Sequence, residues 1–127
     1  MKQIILNADD FGRHTLINRA VERGVADGIL RSATLMPGGA AFDDAAALAA
    51  RIPKLGVGIH LTLVNGTPVL PPAEIPSLVT EAGVFVDDHT AFAVRLLRGA
   101  VNLDEVRAEL SAQLRRVEAA GIHPTHA

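Results

Sequence analysis

Hydrophobic and polar residues alternate along the first half of the chain in a pattern that predicts three strands separated by two helices. The predicted strands cover residues 3–8, 32–36 and 56–61, and the predicted helices cover residues 15–26 and 43–51. The apolar run at residues 4–6 is uninterrupted, which is typical of a parallel strand covered on both faces. This order of elements predicts an α/β fold in which helices pack outside a parallel sheet. The apolar stripe predicted for the first helix is Leu16, Ile17, Ala20, Val21 and Val25.

The second half of the chain predicts a long loop followed by two helices. Residues 64–88 contain four prolines and are too many for an ordinary connection, so we expect an ordered functional loop or insertion. One helix is expected over residues 91–98. Asn102 is expected to cap a longer helix, with Glu105 placed as in a capping box. The apolar stripe predicted for that longer helix is Val106, Leu110, Leu114 and Val117.

Composition and charge exclude several classes of protein. The chain has 127 residues, of which 49% are hydrophobic and 20% charged, so it is long and apolar enough for one globular domain. A net charge of -2 argues against a nucleic-acid partner. The absence of cysteine excludes disulfides and thiolate metal sites. Because no leader or membrane-spanning segment is recognisable, we expect a cytoplasmic protein without a transmembrane segment.

Two adjacent acids follow the first predicted strand. Asp9 and Asp10 would repel each other there and lose water, and a divalent cation with oxygen ligands commonly relieves that cost. One carboxylate could bind the metal while its neighbour takes a proton from metal-bound water. The alternative is a solvated turn, since Asp-Asp-x-Gly also suits an Asx-turn.

Histidines are expected at the same edge of the sheet as the acidic pair. His60 would end the third strand, and His126 would lie at the start of a fourth strand opening at residues 124–126. Catalytic groups of parallel α/β folds gather at the carboxyl ends of strands, which places Asp9, Asp10 and both histidines on one rim. A lone strand histidine is otherwise a common structural residue, so both interpretations of His60 stay open. His14 and His89 are assigned to the surface.

A receiver-type phosphorylation domain is the main rival fold. It shares the chain length, the alternating elements and an acidic pair after the first strand. It also requires an acceptor aspartate after the third strand and a lysine late in the chain. Here the third strand leads to His60, and the only lysines are Lys2 and Lys54, so this interpretation is rejected.

Three motifs, in chain order, resemble the YdjC-like carbohydrate deacetylase family, which includes chitooligosaccharide deacetylase. They are NADDFG at residues 7–12, GIHL at residues 58–61 and PTH at residues 124–126. The segment PVLPPAEIP at residues 68–76 further resembles the hopanoid-biosynthesis branch of the family, HpnK.

The resemblance implies a (β/α)-barrel-like fold, of which this chain would be the N-terminal half. It also implies hydrolysis of an N-acetyl group on an amino sugar or a glycolipid glycan, with a hopanoid-linked sugar as one such substrate. It maps Asp10 and His60 onto metal ligands and Asp9 onto the catalytic base. Magnesium is the metal that the resemblance implies, and Zn, Mn, Co and Ni also suit Asp and His ligands.

The family's third ligand is a later histidine in the pattern Pro-Thr-His-x-Asp-x-His. His126 matches the first histidine of that pattern, so it is expected near the metal but not as a ligand. Thr34, Met36, Thr62 and the loop of residues 64–75 are expected to shape the substrate rim.

We therefore expect residues 1–127 to form a single, truncated deacetylase domain, since a complete barrel needs about 250 residues. Such a fragment is expected to be inactive or nearly so, and its uncovered sheet edge would favour self-association, a homodimer included. Two alternatives to the enzyme remain open. One is a non-catalytic α/β binding module in which the acidic pair serves only structure or weak cation binding. The other is an inactive truncated remnant.

Overall fold

The computed structural model describes residues 2 and 4–127 of the chain. Within these residues, three parallel strands form one sheet in the order β1-β2-β3, and helices follow each strand. The predicted α/β class is therefore confirmed. The elements are β1 (Asn7–Phe11), α1 (Thr15–Ala26), β2 (Ser32–Leu35), α2 (Phe42–Arg51), β3 (Gly56–Ile59), a 3-10 helix (Pro72–Glu74), α3 (His89–Leu97) and α4 (Leu103–Ala119).

The first strand begins later than the hydrophobic pattern predicts. β1 starts at Asn7, and residues 4–6 are exposed rather than buried on both faces. The register pairs Asn7 with Ser32, so residues 4–6 would need partners in residues 29–31. Those residues turn out of α1, and two of their N–H groups bond back to the Gly24 carbonyl. The acidic pair therefore lies inside β1, and not after the end of the strand as the sequence predicts.

The main hydrophobic core lies between the sheet and the first two helices. α1 has the predicted bounds, but its buried residues are Asn18, Val21 and Val25, and Leu16 of the predicted stripe is exposed. The burial of Asn18 is tolerated because its side-chain amide is fully hydrogen-bonded. The amide oxygen accepts from Gly12 N–H at 2.8 Å, and the amide nitrogen donates to the Ala41 carbonyl and the Asp44 carboxylate at the start of α2. The core comprises Phe11, Val21, Val25, Ala33, Leu35, Phe42, Ala45, Leu48, Leu55, Val57, Ile59 and Val117.

Helix α4 buries two polar residues beside part of the predicted apolar stripe, of which Val117 is buried and Val106 packs against the loop core. The Asn102 side chain caps α4 as predicted, by accepting from Asp104 N–H at 2.9 Å. The predicted capping box is wrong, because Glu105 accepts from the backbone N–H of Ser77 at 2.8 Å. Leu114 of the predicted stripe is exposed. The buried residues of the helix are Glu109, Ala112, Gln113 and Val117.

Glu109 and Gln113 of α4 hold the long proline-rich loop in place through hydrogen bonds to its backbone and to Thr62. The Glu109 carboxylate accepts from the N–H groups of Val69 and Leu70, at 2.9 Å each. The Gln113 amide bonds both backbone groups of Thr62, at 3.0 and 2.7 Å. The loop also has its own core of Ile75, Leu78, Phe85 and Val101. The loop is therefore ordered, as predicted, and its first residues are fixed beside the end of β3.

None of the helices within residues 2 and 4–127 combines the length and the apolar character that crossing a membrane requires.

Candidate active site

A bulge in β1 turns Asp10 towards the end of β3. The pairing with β2 shifts register between Ala8 and Phe11, and Asp10 has a left-handed backbone with φ of 61°. Bulges commonly re-aim a side chain beside a functional site. The Asp10 N–H donates to Nδ1 of His60 at 3.3 Å, and Asp10 Oδ1 lies 3.7 Å from the same nitrogen. The two predicted metal ligands are therefore brought together.

This pair offers the chemistry of part of a divalent-metal site. Nδ1 of His60 accepts from the Asp10 N–H, so the ring hydrogen is assigned to Nε2, and a metal would bind at Nδ1 in place of that hydrogen bond. Carboxylate oxygen and neutral imidazole nitrogen are both ligands for Mg, Mn, Co, Ni or Zn. No group of three or more acidic or histidine side chains suited to a metal occurs within residues 2 and 4–127. The described residues thus fit a metal as two of its ligands, whereas catalytic zinc sites usually have three protein ligands.

Asp9 is oriented by hydrogen bonds from two neighbouring side chains. Asn7 Nδ2 donates to Asp9 Oδ1 at 2.7 Å, and Thr34 Oγ1 donates to the same oxygen at 2.9 Å. Thr34 is buried on β2, the strand that pairs with β1, which fixes the position of its hydroxyl. Since both bonds reach Oδ1, Oδ2 is the oxygen that faces no hydrogen-bond donor within the part of the chain described. The structure therefore places Thr34 beside Asp9.

His126 extends this network across the sheet. Its backbone runs beside β3, where Ile59 N–H donates to the His126 carbonyl at 2.8 Å. Nε2 of the ring lies 3.2 Å from both Asn7 Oδ1 and Ser32 Oγ, and Ser32 itself donates to Asn7 Oδ1. Nε2 is accordingly assigned the hydrogen, which it donates to Asn7. The Asn7 amide thus links the imidazole of His126 to the carboxylate of Asp9.

Two adjoining cavities, each about 400 Å³, meet at His60 and Leu61. Asp9, Thr34 and His126 line the first cavity, together with Asn7 and Ile59. The second lies between the bulge and the long loop, and its lining includes Asp10, Arg13, Met36, Thr62, Asn65 and His89. Thr62 and Met36 therefore line the same cavity as the candidate ligands Asp10 and His60. His89 is exposed, as predicted, although it also borders the second cavity.

Four residues that make these contacts have no role that the sequence alone predicts. Asn7 is two positions before Asp9 in a strand and so points to the same side, which is a signal that strand alternation provides. Ser32 is its partner across the parallel pair. Arg13 lies three residues after Asp10 and pairs with it at 3.2 Å. Asn65 contacts Arg13 from the loop, and no local pattern indicates that contact.

Known proteins are similar to this chain over nearly all of its length. The family model for YdjC-like proteins matches residues 3–127. A carbohydrate deacetylase of Brevibacillus brevis is 40% identical over 126 residues, and one of Geobacillus stearothermophilus is 42% identical over 122 residues. These alignments cover 98% and 96% of this chain, but 47% and 46% of the relatives. The chain therefore spans about half the length of the curated relatives it matches.

A solved structure shows the same fold over that half. It is a protein of Enterococcus faecalis V583, proposed to be a cellobiose-phosphate cleavage protein, and it superimposes with a TM-score of 0.81 at 36% identity. The match covers 96% of this chain and 46% of that one, in agreement with the N-terminal half of a (β/α)-barrel-like fold. With a family match over nearly every residue, this chain belongs to the YdjC-like protein family.

Proposed function

We propose that the protein is a metal-dependent hydrolase that removes N-acetyl groups from an amino sugar. The names of its relatives support the reaction class, since the Brevibacillus brevis and Geobacillus stearothermophilus proteins are both called carbohydrate deacetylases. The proposal concerns the whole protein, to which residues 1–127 contribute part of the site.

The observation that carries this proposal is the arrangement of two carboxylates around His60. The Asp10 carboxylate and the His60 ring meet at 3.7 Å, while Asp9 is held separately by Asn7 and Thr34. Asp9 therefore stays available as a base beside a candidate metal pair. A purely structural acidic pair would not need its two carboxylates divided in this way.

Each residue then has a distinct role in the proposed reaction. Asp10 and His60 would hold the divalent ion, with a third protein ligand supplied from outside residues 1–127. When bound, such an ion supplies Lewis-acid polarisation of the acetyl carbonyl and activation of water. Asp9 would accept the proton of the attacking water through Oδ2, while Asn7 and Thr34 keep Oδ1 in place. A general acid outside residues 1–127 would protonate the leaving amine.

We further propose magnesium as the metal and a hopanoid-linked amino sugar as one substrate. The first rests on the hard oxygen ligand of Asp10 and on the family resemblance. The second rests on the proline-rich segment of residues 68–76. Glu109 fixes this segment at the backbone of Val69 and Leu70, and the same loop borders the second cavity at residues 62–65.

A second candidate function is a non-catalytic binding module with weak cation affinity. The observation that favours it is the two-ligand set, since no larger acidic or histidine group suited to a metal lies within residues 2 and 4–127. Turnover separates the two candidates, because only the enzyme releases acetate.

The test is acetate release from N,N′-diacetylchitobiose by the complete gene product. We expect turnover that a chelator abolishes and that added Mg²⁺, Mn²⁺ or Co²⁺ restores. A hopanoid-linked N-acetylated sugar, assayed in parallel, tests the narrower substrate. Stoichiometric cation binding without acetate release from either substrate would support the binding module and contradict the enzyme.

A further inference from the structure

Arg13 bridges two residues that have left-handed backbones. Its Nη1 pairs with Asp10 Oδ2 at 3.2 Å, and its Nη2 donates to Asn65 Oδ1 at 3.1 Å. Asp10 and Asn65 have φ values of 61° and 53°, and within the part of the chain described they are the non-glycine residues with positive φ. Backbones of this kind persist only where surrounding contacts hold them, and they concentrate at functional sites.

The surrounding loop holds Asn65 firmly enough to orient Arg13. Asn65 N–H donates to the Val86 carbonyl at 2.8 Å, and Phe85 N–H donates to Gly66 at 3.0 Å. Phe85 belongs to the buried core of the loop. The backbone of Asn65 is therefore held by the loop, and its exposed side-chain oxygen accepts from the Arg13 guanidinium at the second cavity.

We propose that Arg13, positioned by Asn65, is a built-in counter-ion that competes with a divalent cation for Asp10. This inference rests on the proposed function, because it assigns Asp10 to a metal. The guanidinium bonds Oδ2, while Oδ1 faces His60. A cation that binds between Asp10 and His60 must either share the Asp10 carboxylate with the guanidinium or displace the guanidinium. The positive charge of the guanidinium also repels the cation. Arg13 thus weakens cation affinity while it keeps the carboxylate aimed at His60.

The expected change in cation affinity follows from the solvent exposure of the Arg13–Asp10 pair. Both side chains are partly exposed, at 42% for Arg13 and 36% for Asp10, so solvent screens their interaction. Loss of an exposed pair together with a nearby positive charge is expected to change cation affinity about three- to tenfold. Salt should reduce the effect, because screening weakens both the pairing and the repulsion.

The experiment measures Mn²⁺ affinity of the complete gene product by electron paramagnetic resonance of the free ion. We expect Arg13→Gln to bind Mn²⁺ about three- to tenfold more tightly than the wild type, with a smaller difference at high salt. Arg23→Gln is the matched control, since Arg23 lies on α1 but pairs with Asp27 instead. Asp10→Asn should lose binding, and circular dichroism verifies that each variant is folded.

Asn65→Gly tests whether Asn65 acts through Arg13. Glycine tolerates the left-handed backbone and removes only the amide. We expect Asn65→Gly to tighten Mn²⁺ binding by less than Arg13→Gln, and to add nothing in the Arg13→Gln background. Equal or weaker binding by Arg13→Gln, where the wild type binds Mn²⁺, would overturn this inference alone. If neither the wild type nor Arg13→Gln binds Mn²⁺, the metal site of the proposed function is wrong, and this inference is wrong with it.

Discussion

The backbone N–H of Asp10 donates to Nδ1 of His60 across 3.3 Å, although fifty residues separate the two in the chain. The bond joins the bulge of β1 to the end of β3 and passes the edge of β2, so the sheet must be correctly assembled before it can form. This hydrogen bond therefore forms only when the sheet is folded and the two candidate metal ligands are brought together.

Thr34 is predicted to support the proposed role of Asp9 as the catalytic base. Thr34→Val preserves the shape of the side chain but removes the hydroxyl that donates to Asp9 Oδ1 at 2.9 Å. Since Asn7 still holds the same oxygen, we expect kcat for deacetylation to fall about tenfold rather than to vanish. Steady-state kinetics should show a nearly unchanged KM, and Mn²⁺ affinity should stay at the wild-type value.

Thr80→Val is the control for that change, because the Thr80 hydroxyl bonds the Val84 carbonyl in the loop and lies outside both cavities. It should leave kcat at the wild-type value. Weaker Mn²⁺ binding by Thr34→Val with an unaltered kcat would refute the assignment of Asp9 as the base.

Gly58 is predicted to be required for the position of His126. A Cβ at residue 58 would lie 2.6 Å from ring atoms and from the carbonyl oxygen of His126. Gly58→Ala should therefore push His126 away from Asn7 and Ser32. We expect a loss of about 1–3 kcal/mol in the free energy of unfolding, measured with urea. The ¹⁵N shifts of the His126 ring should move as its hydrogen bonds break.

Gly66→Ala provides the matched control, since a Cβ there meets no heavy atom within 4 Å and its φ is not left-handed. Its stability and ring shifts should resemble those of the wild type. If Gly58→Ala behaves in the same way as Gly66→Ala, the close packing of His126 on β3 is wrong.

Glu109 is predicted to stabilise the loop through its buried hydrogen bonds. The carboxylate is fully buried and accepts from Val69, Leu70 and Gln113. Glu109→Gln replaces one carboxylate oxygen with an NH2 group. This group then faces a backbone N–H from which it cannot accept a hydrogen bond. We expect the free energy of unfolding to fall by about 2–4 kcal/mol. Urea denaturation followed by circular dichroism at 222 nm measures this loss.

Glu118→Gln makes the same chemical change at an exposed position of α4 and should alter stability by less than about 0.5 kcal/mol. Equal unfolding free energies for the Glu109 and Glu118 variants would show that the loop does not depend on the buried carboxylate.

Local signals explain which features could be predicted from the sequence. The bounds of α1 and the Asn102 cap were predictable because helical spacing and capping chemistry lie within a few residues. The juxtaposition of Asp10 and His60 followed from a rule about strand ends, which needs only the order of elements. The fold class followed for the same reason.

Non-local contacts explain what the sequence did not reveal. The start of β1 depends on its register against Ser32, which the apolar run at residues 4–6 does not encode. The buried face of α4 carries Glu109 because its partners are N–H groups some forty residues earlier in the chain. The contact between Arg13 and Asn65 likewise needs the folded loop, so neither residue is distinctive in its own segment.

The division of roles between Asp9 and Asp10 is the central claim, and one paired measurement tests it most directly. Asp9→Asn and Asp10→Asn are made in the complete gene product, and Mn²⁺ affinity and acetate release are measured for each. We expect Asp9→Asn to keep Mn²⁺ affinity near the wild-type value while kcat falls by at least about a hundredfold, and Asp10→Asn to lose both. Full turnover by Asp9→Asn, or wild-type Mn²⁺ affinity in Asp10→Asn, would contradict the account.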